Sequence, residues 1–156
     1  MNYEIVEGDL LEQDVDAIVN SWNRNFIPWW LLLPQGVSGA IKRRAGLTPF
    51  RELGRFGPMK LGDAVLTSAG RLPLRGIIHV ASLEWYWVPT RDGVRRGVYE
   101  AIRIAKQAGY QTLAFPVLGS GTGGMKVDDA IAVMREGLEN VDDDLHVRVV
   151  KYRKDR

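Results

Sequence analysis

The densest cluster of residues suited to chemistry is Gly119-Ser120-Gly121-Thr122-Gly123-Gly124, followed at once by Met125. Six small residues in a row remove the Cβ atoms that block close backbone approach. Successive main-chain N–H groups can then converge on one anion, and Ser120 and Thr122 add hydroxyl donors. No Gly-Lys-Ser/Thr follows, so this is not a Walker A loop, and it is not a clean dinucleotide fingerprint. A second candidate is Gly36-Val37-Ser38-Gly39, just before a predicted helix, where first-turn amides and the helix dipole favour negative charge. Two such loops at neighbouring strand ends would hold both phosphates of a diphosphate. Upstream, Asn20 and Asn23 each carry an acceptor and two donors suited to ribose hydroxyls. Asn20 reads equally well as a strand-terminal turn residue. Asp9 follows Gly8, and its carboxylate would accept from an exocyclic amine such as adenine presents. Taken alone, it reads as a turn aspartate bonding its own backbone.

The elements that must position these residues follow from periodicity. Alternation over 2–8 and a short apolar run over 16–20 predict two strands. A helix is expected over 38–46, with Ser38 as its N-cap and Gly46 near its end. Residues 50–57 add a helical turn or two. Strands are expected over 63–70 and 76–83, and the longest helix over 90–109. Its apolar residues Val94, Val98, Ile102 and Ala105 keep helical spacing, and Gly109 stops it. The most apolar strand, over 112–118, runs into the glycine-rich loop. A helix over 126–141 carries Asp128 and Asp129 in its first turn, where they suit the dipole. An alternating strand over 145–152 closes the pattern. Strands alternating with helices imply α/β layers around a largely parallel sheet, with ligands beyond the carboxyl ends of the strands.

Composition narrows the class. The 156 residues, 46% hydrophobic and 26% charged, suit one globular domain, 1–156, with a substantial core. A net charge of +2 is too mild to argue nucleic-acid binding, although the sequence pI is about 9.0. The basic runs, Lys42-Arg43-Arg44, Arg95-Arg96 and a tail from Lys151 to Arg156, read as solvated surface. With no cysteine, neither disulfides nor thiolate metal sites arise, no metal or cofactor is expected, and a reducing cytoplasm fits. No signal peptide is visible. The greasy run over 26–34 is far short of the ~20 residues a membrane span needs. His79, inside an apolar strand, reads as a satisfied core histidine, and His146 as solvent-facing.

At three places together the chain resembles the macro domain family. Gly8-Asp9-Leu10-Leu11 and Val15-Asp16-Ala17-Ile18-Val19-Asn20 match the family's opening turn and strand, and Asn20-Ser21-Trp22-Asn23 its Asn-Ala-Ala-Asn. Gly36-Val37-Ser38-Gly39-Ala40-Ile41 resembles its glycine turn before the first helix. Residues 62–80 resemble its central strand pair, and Phe115 to Gly124 its second phosphate loop. The resemblance implies a three-layer α/β/α fold with a mixed, largely parallel sheet, binding ADP-ribose or an ADP-ribosylated target at the strand ends. By carry-over, Asp9 would meet the adenine amine with Leu10 beside it, and Asn23 the distal ribose. Gly36 to Gly39 and Ser120 to Gly124, with Gly119 leading in, would cradle the diphosphate, and Met125 would pack on the ligand.

The departures bear on catalysis. In the hydrolytic branch of the family the first loop carries an aspartate thought to help activate water and, further on, a histidine. Here those positions are Ser38 and Lys42, and Ser38 is a poor base without a partner. Twelve residues separate Asn23 from Gly36, a longer loop than in that branch. Within it, Trp29 and Trp30 wall the cleft, or Phe26, Ile27 and Leu31 to Leu33 pack as a local core or against a partner chain. Trp85, Tyr86 and Trp87 raise the same choice. Three functions follow: a hydrolase of ADP-ribosyl linkages or ADP-ribose 1''-phosphate, with Asn23 and Ser38 at the reacting end and Glu84, Lys42 or Asp128 as other candidates; a non-catalytic ADP-ribose reader; or a binder of another nucleotide or RNA end. The missing aspartate favours the reader, and the lack of a second domain to recruit favours the hydrolase.

Overall fold

A computed structural model describes residues 3–25, 30, 36–83, 89–121, 124–139 and 144–153. Its strands are β1 (Tyr3–Gly8), β2 (Ala17–Trp22), β3 (Ala64–Thr67), β4 (Gly76–Ala81), β5 (Thr112–Pro116) and β6 (His146–Tyr152). The helices are α1 (Gly36–Ala45), α2 (Thr48–Arg55), α3 (Arg91–Gln107) and α4 (Val127–Leu138), and a 3₁₀ turn covers Leu10–Glu12. The sheet order is β1-β6-β5-β2-β4-β3. Every pairing is parallel except β3 with β4. The carboxyl ends of β1, β6, β5, β2 and β4 therefore share one edge.

Period-two alternation sorts the strand residues between two cores. Ala17 and Val19 of β2 and Ile78 and Val80 of β4 face one way, packing with Val94, Val98 and Ala105 of α3 and Met134 and Leu138 of α4. Ile18, Trp22, Ile77 and Ala81 face the other way, packing with Ile41 of α1 and Phe50 and Leu53 of α2. Three α/β/α layers result, with the mixed sheet buried on both sides. At Gly97 of α3 an added Cβ would stand 2.3 Å from Val80 Cγ1, so only glycine lets this helix settle on β4.

The predicted elements hold in number and order, with shifted ends. β2 runs two residues past the expected strand, because Ser21 and Trp22 continue the pairing with Val80 and Ala81. α1 starts at Gly36, so Ser38 lies inside the first turn and is not the N-cap. Its hydroxyl turns to the sheet instead, donating to Asn20 Oδ1 at 2.9 Å and to the Ser21 carbonyl at 3.2 Å. Thr90 caps α3, its Oγ1 accepting from Gly93 N–H at 3.0 Å. Gly109, with φ +78, follows the helix end.

Candidate functional site

The parallel topology brings the sequence-selected residues to one edge in a fixed order. Asp9 follows β1, the 119–124 loop follows β5, and Asn23 and then α1 follow β2. Since β6 and β5 separate β1 from β2, the row from Asp9 to Asn23 spans three strand spacings, about 14 Å.

Two features of this row suit anions. α1 has no acidic residue in its first turn, whereas α4 has Asp128 and Asp129 and α3 has Asp92. The positive end of the α1 dipole is thus uncompensated at the cleft, while α4's own end is already countered. Gly36 holds φ +55, and a Cβ there would meet nothing within 4 Å, so the entry to α1 is open. In the second loop, Met125 N–H donates to the Gly119 carbonyl at 2.7 Å and Gly124 N–H to Gly121 at 2.8 Å. Gly119 has φ +86, and a Cβ at Gly124 would come within 2.2 Å of the Gly119 carbonyl oxygen. Only glycine permits this tight turn. Gly121 is exposed, its N–H takes no acceptor among the described residues, and a Cβ on it would enter open space. Thr122 and Gly123 lie outside the described residues.

Several side chains differ from expectation. The Ser120 hydroxyl donates to the Val117 carbonyl at 2.8 Å, so its proton is not offered outward. Leu10 is buried in the core beside α1, which leaves its main chain as the surface it can present. Asp9 Oδ1 accepts from Leu11 N–H at 2.9 Å, capping the 3₁₀ turn, and Oδ2 faces Arg44 Nη1 at 3.8 Å. Asn23 is half-buried. Its Oδ1 accepts from Asn25 N–H at 2.7 Å, while its amide nitrogen has no partner among the described residues. Met125 is half-buried against the α3–α4 core. Gly39 is buried, and Val37 packs against the α1–α2 core.

Asn20 is the clearest correction. It is fully buried and forms the centre of a directed hydrogen-bond chain. Ser38 Oγ donates to its Oδ1, and its Nδ2 donates to His79 Nδ1 at 2.9 Å. His79 Nε2 then donates to Thr67 Oγ1 at 2.9 Å, and Thr67 to the Ser68 carbonyl at 3.0 Å. Asn20 thus has no face left for a ribose; it positions Ser38. His79 is the satisfied core histidine expected, stacked edge-on against Phe50 and neutral, burial pushing its pKa from 6.5 down to about 3. The Ser38 proton points at an amide oxygen and a peptide oxygen, neither of which is a base at neutral pH.

Of the other candidates, Lys42 lies over Phe50 and Trp22, its Nζ 5.0 and 5.7 Å from the ring centroids, and burial lowers its pKa. Asp128 is exposed on α4. Glu84, Trp85, Tyr86, Trp87, Trp29 and the run 31–35 fall outside the described residues; Trp30 is exposed. Asn25, which sequence reasoning passed over, holds φ +64. Its Nδ2 donates to the Leu53 and Gly57 carbonyls, and its Oδ1 accepts from Trp22 Nε1. It ties the exit of β2 to the end of α2 and so places Asn23. An asparagine just beyond a strand end, a residue type that tolerates positive φ, was the available signal.

The family model described as Macro domain matches residues 19–134, and the chain belongs to this family. A macro domain-containing protein of Streptomyces griseus is 37% identical over 157 residues, covering 95% of this chain and 86% of that protein. Among solved structures, the Oceanobacillus iheyensis macrodomain with ADP has a TM-score of 0.81 at 25% identity, covering 97% of this chain and 84% of the other. A Trypanosoma brucei macrodomain in complex with ADP-ribose has a TM-score of 0.76 at 24% identity, covering 98% and 64%.

Proposed function

We propose that this protein binds ADP-ribose, or a close derivative, along the carboxyl edge of its parallel strands. The observation that carries this is that Asp9, the glycine-rich loop after β5, and Asn23 with the start of α1 follow one another along a single sheet edge over about 14 Å. Asp9 Oδ2 and the Leu10 main chain take the adenine. The N-terminus of α1, from Gly36 through Val37 and Ser38 to Gly39, and the loop from Gly119 to Gly124 take the diphosphate. Asn23 Nδ2 donates to a distal ribose hydroxyl. The solved macrodomains with ADP and with ADP-ribose support this ligand.

Binding without a serine base is the reading that the Ser38 hydrogen bonds favour, since its proton has no basic acceptor. Calorimetric titration with ADP-ribose, ADP and AMP tests both parts. Preference for ADP-ribose, weakened at least tenfold by Gly121→Glu, supports the assignment, since a Cβ there meets no atom within 4 Å while the carboxylate brings negative charge to the anion loop. Equal affinity for all three would indicate another nucleotide end. Release of ADP-ribose from an ADP-ribosylated protein, or of phosphate from ADP-ribose 1''-phosphate, would overturn the non-catalytic reading. It would move attention to Glu84 or to water activated by the diphosphate itself.

A further inference from the structure

On the opposite edge of the sheet, about 20 Å away along the strands, lies an open depression of about 800 Å³ that the ADP-ribose reading does not use. It forms where α1 ends, α2 begins and the β3–β4 connection crosses. Three arginines line it: Arg51 of α2, and Arg71 and Arg75 of the connection. All three are exposed. The Arg71 guanidinium packs over Gly46, where a Cβ would lie 3.4 Å from Nη2. The partial negative end of α1 draws it there without neutralising it. Arg75 stands over the Tyr110 ring at 5.1 Å. Neither Arg51 nor Arg71 has a carboxylate partner among the described residues; the two nearby carboxylates accept hydroxyl and main-chain hydrogen bonds instead. Glu52 accepts from the hydroxyl and N–H of Ser68, which also lines the depression, and Asp16 from the Gln111 and Thr112 N–H groups.

A second observation points the same way. α2 opens at this depression, Leu47 provides no side-chain cap, and the first turn carries no acidic residue. Among the four described helices only α1 and α2 lack that acidic first turn. Exposed guanidinium forks lining one depression, beside a helix N-terminus without acidic residues, suit phosphate oxygens, which arginine binds bidentately. With arginines contributed by both α2 and the β3–β4 connection, the depression suits a ligand that carries several phosphates.

We propose that this arginine-lined depression is a second anion site, separate from the ADP-ribose cleft, that binds a chain of phosphates, whether a nucleic-acid strand or free polyphosphate. The test titrates the full chain, with excess ADP-ribose present, against a short single-stranded oligothymidylate and, separately, inorganic tripolyphosphate. Variants are Arg51→Gln/Arg71→Gln and a control with the same charge change across the sheet on α3, Arg95→Gln/Arg96→Gln. Circular dichroism and thermal melting confirm that both fold. Oligothymidylate binding with a log K against log salt slope of about −2, as for three phosphate contacts on a single strand, supports the site with a phosphodiester source. The first pair should then weaken it about tenfold or more and flatten the slope, while the control pair leaves both. Tripolyphosphate binding alone, with the same dependence on the variants, supports the site with free polyphosphate as its ligand. Failure of both probes, or equal loss in the control pair, overturns it. ADP-ribose affinity, measured alone on the same variants, is expected to be unchanged, which separates this outcome from the fate of the cleft.

Discussion

Ser38 stands where hydrolytic macro domains carry an aspartate, yet its environment makes it a donor into the protein. Truncation to Ala leaves the fully buried Asn20 Oδ1 without its donor, an unsatisfied group that costs about 1–3 kcal/mol. Ser38→Ala is therefore expected to lower the urea midpoint clearly while leaving ADP-ribose affinity within a few-fold. A loss of binding with unchanged stability would reverse that assignment. Asn23 is the opposite case. Its Oδ1 bonds locally, while its Nδ2 has no partner among the described residues and, in the proposed mode, donates to the distal ribose. Asn23→Ala should lower affinity for ADP-ribose about tenfold and leave ADP nearly unaffected, because ADP lacks the second ribose; parallel titrations of the two ligands measure the split.

Among the elements, two boundaries differ in what they hold. β2 ends at Trp22, and Asn25 three residues on, with a left-handed backbone and three side-chain hydrogen bonds, anchors the strand exit to the end of α2. Asn25→Ala should cost about 2–3 kcal/mol in chemical unfolding, combining lost hydrogen bonds with a strained φ. It should also weaken ADP-ribose binding through displacement of Asn23. α3 begins at Thr90, and loss of that cap in Thr90→Ala should cost about 1 kcal/mol with no change in ligand affinity. The pair separates an element boundary that shapes the cleft from one that only stabilises the fold.

At the scale of the whole molecule, the buried chain from Ser38 through Asn20 and His79 to Thr67 stitches α1, β2, β4 and β3 on one face of the sheet. His79 is neutral in the folded protein, its pKa near 3 against 6.5 ordinarily. Between those values the unfolded chain carries a proton at His79 that the folded chain does not. Stability contributed by the neutral ring is therefore complete above about pH 6.5 and is lost as pH falls toward 3. The loss reaches about 1.4 kcal/mol per pH unit within that window. Urea unfolding across pH 4–7 should show this slope, and His79→Gln should flatten it even though the variant is less stable at neutral pH. A slope unchanged by the substitution would place the acid sensitivity in other groups. Among the described residues no helix is long and apolar enough to cross a membrane.

The layers, the order of the elements and the two glycine loops were all legible in the residues. Each is a local consequence of period, glycine content or chain order: alternation in β2, helical spacing in α3, small residues after β5. The positions of Asp9 and Asn23 just beyond β1 and β2 were legible from strand periodicity, and so was Asp9 as a turn aspartate bonding its own backbone. Direction and partnership were not legible, because they depend on neighbours distant in the chain. Asn20 could be read as turn or ligand residue until His79, from a strand 59 residues on, closed one side of it and Ser38 the other. Likewise a net charge of +2 says nothing of where the basic residues fall, since Arg51, Arg71 and Arg75 lie in no basic run and line one depression only where the α1–α2 turn packs against the β3–β4 connection. Sequence reports which groups exist; only tertiary contact decides which protons, lone pairs and charges are left over for a ligand.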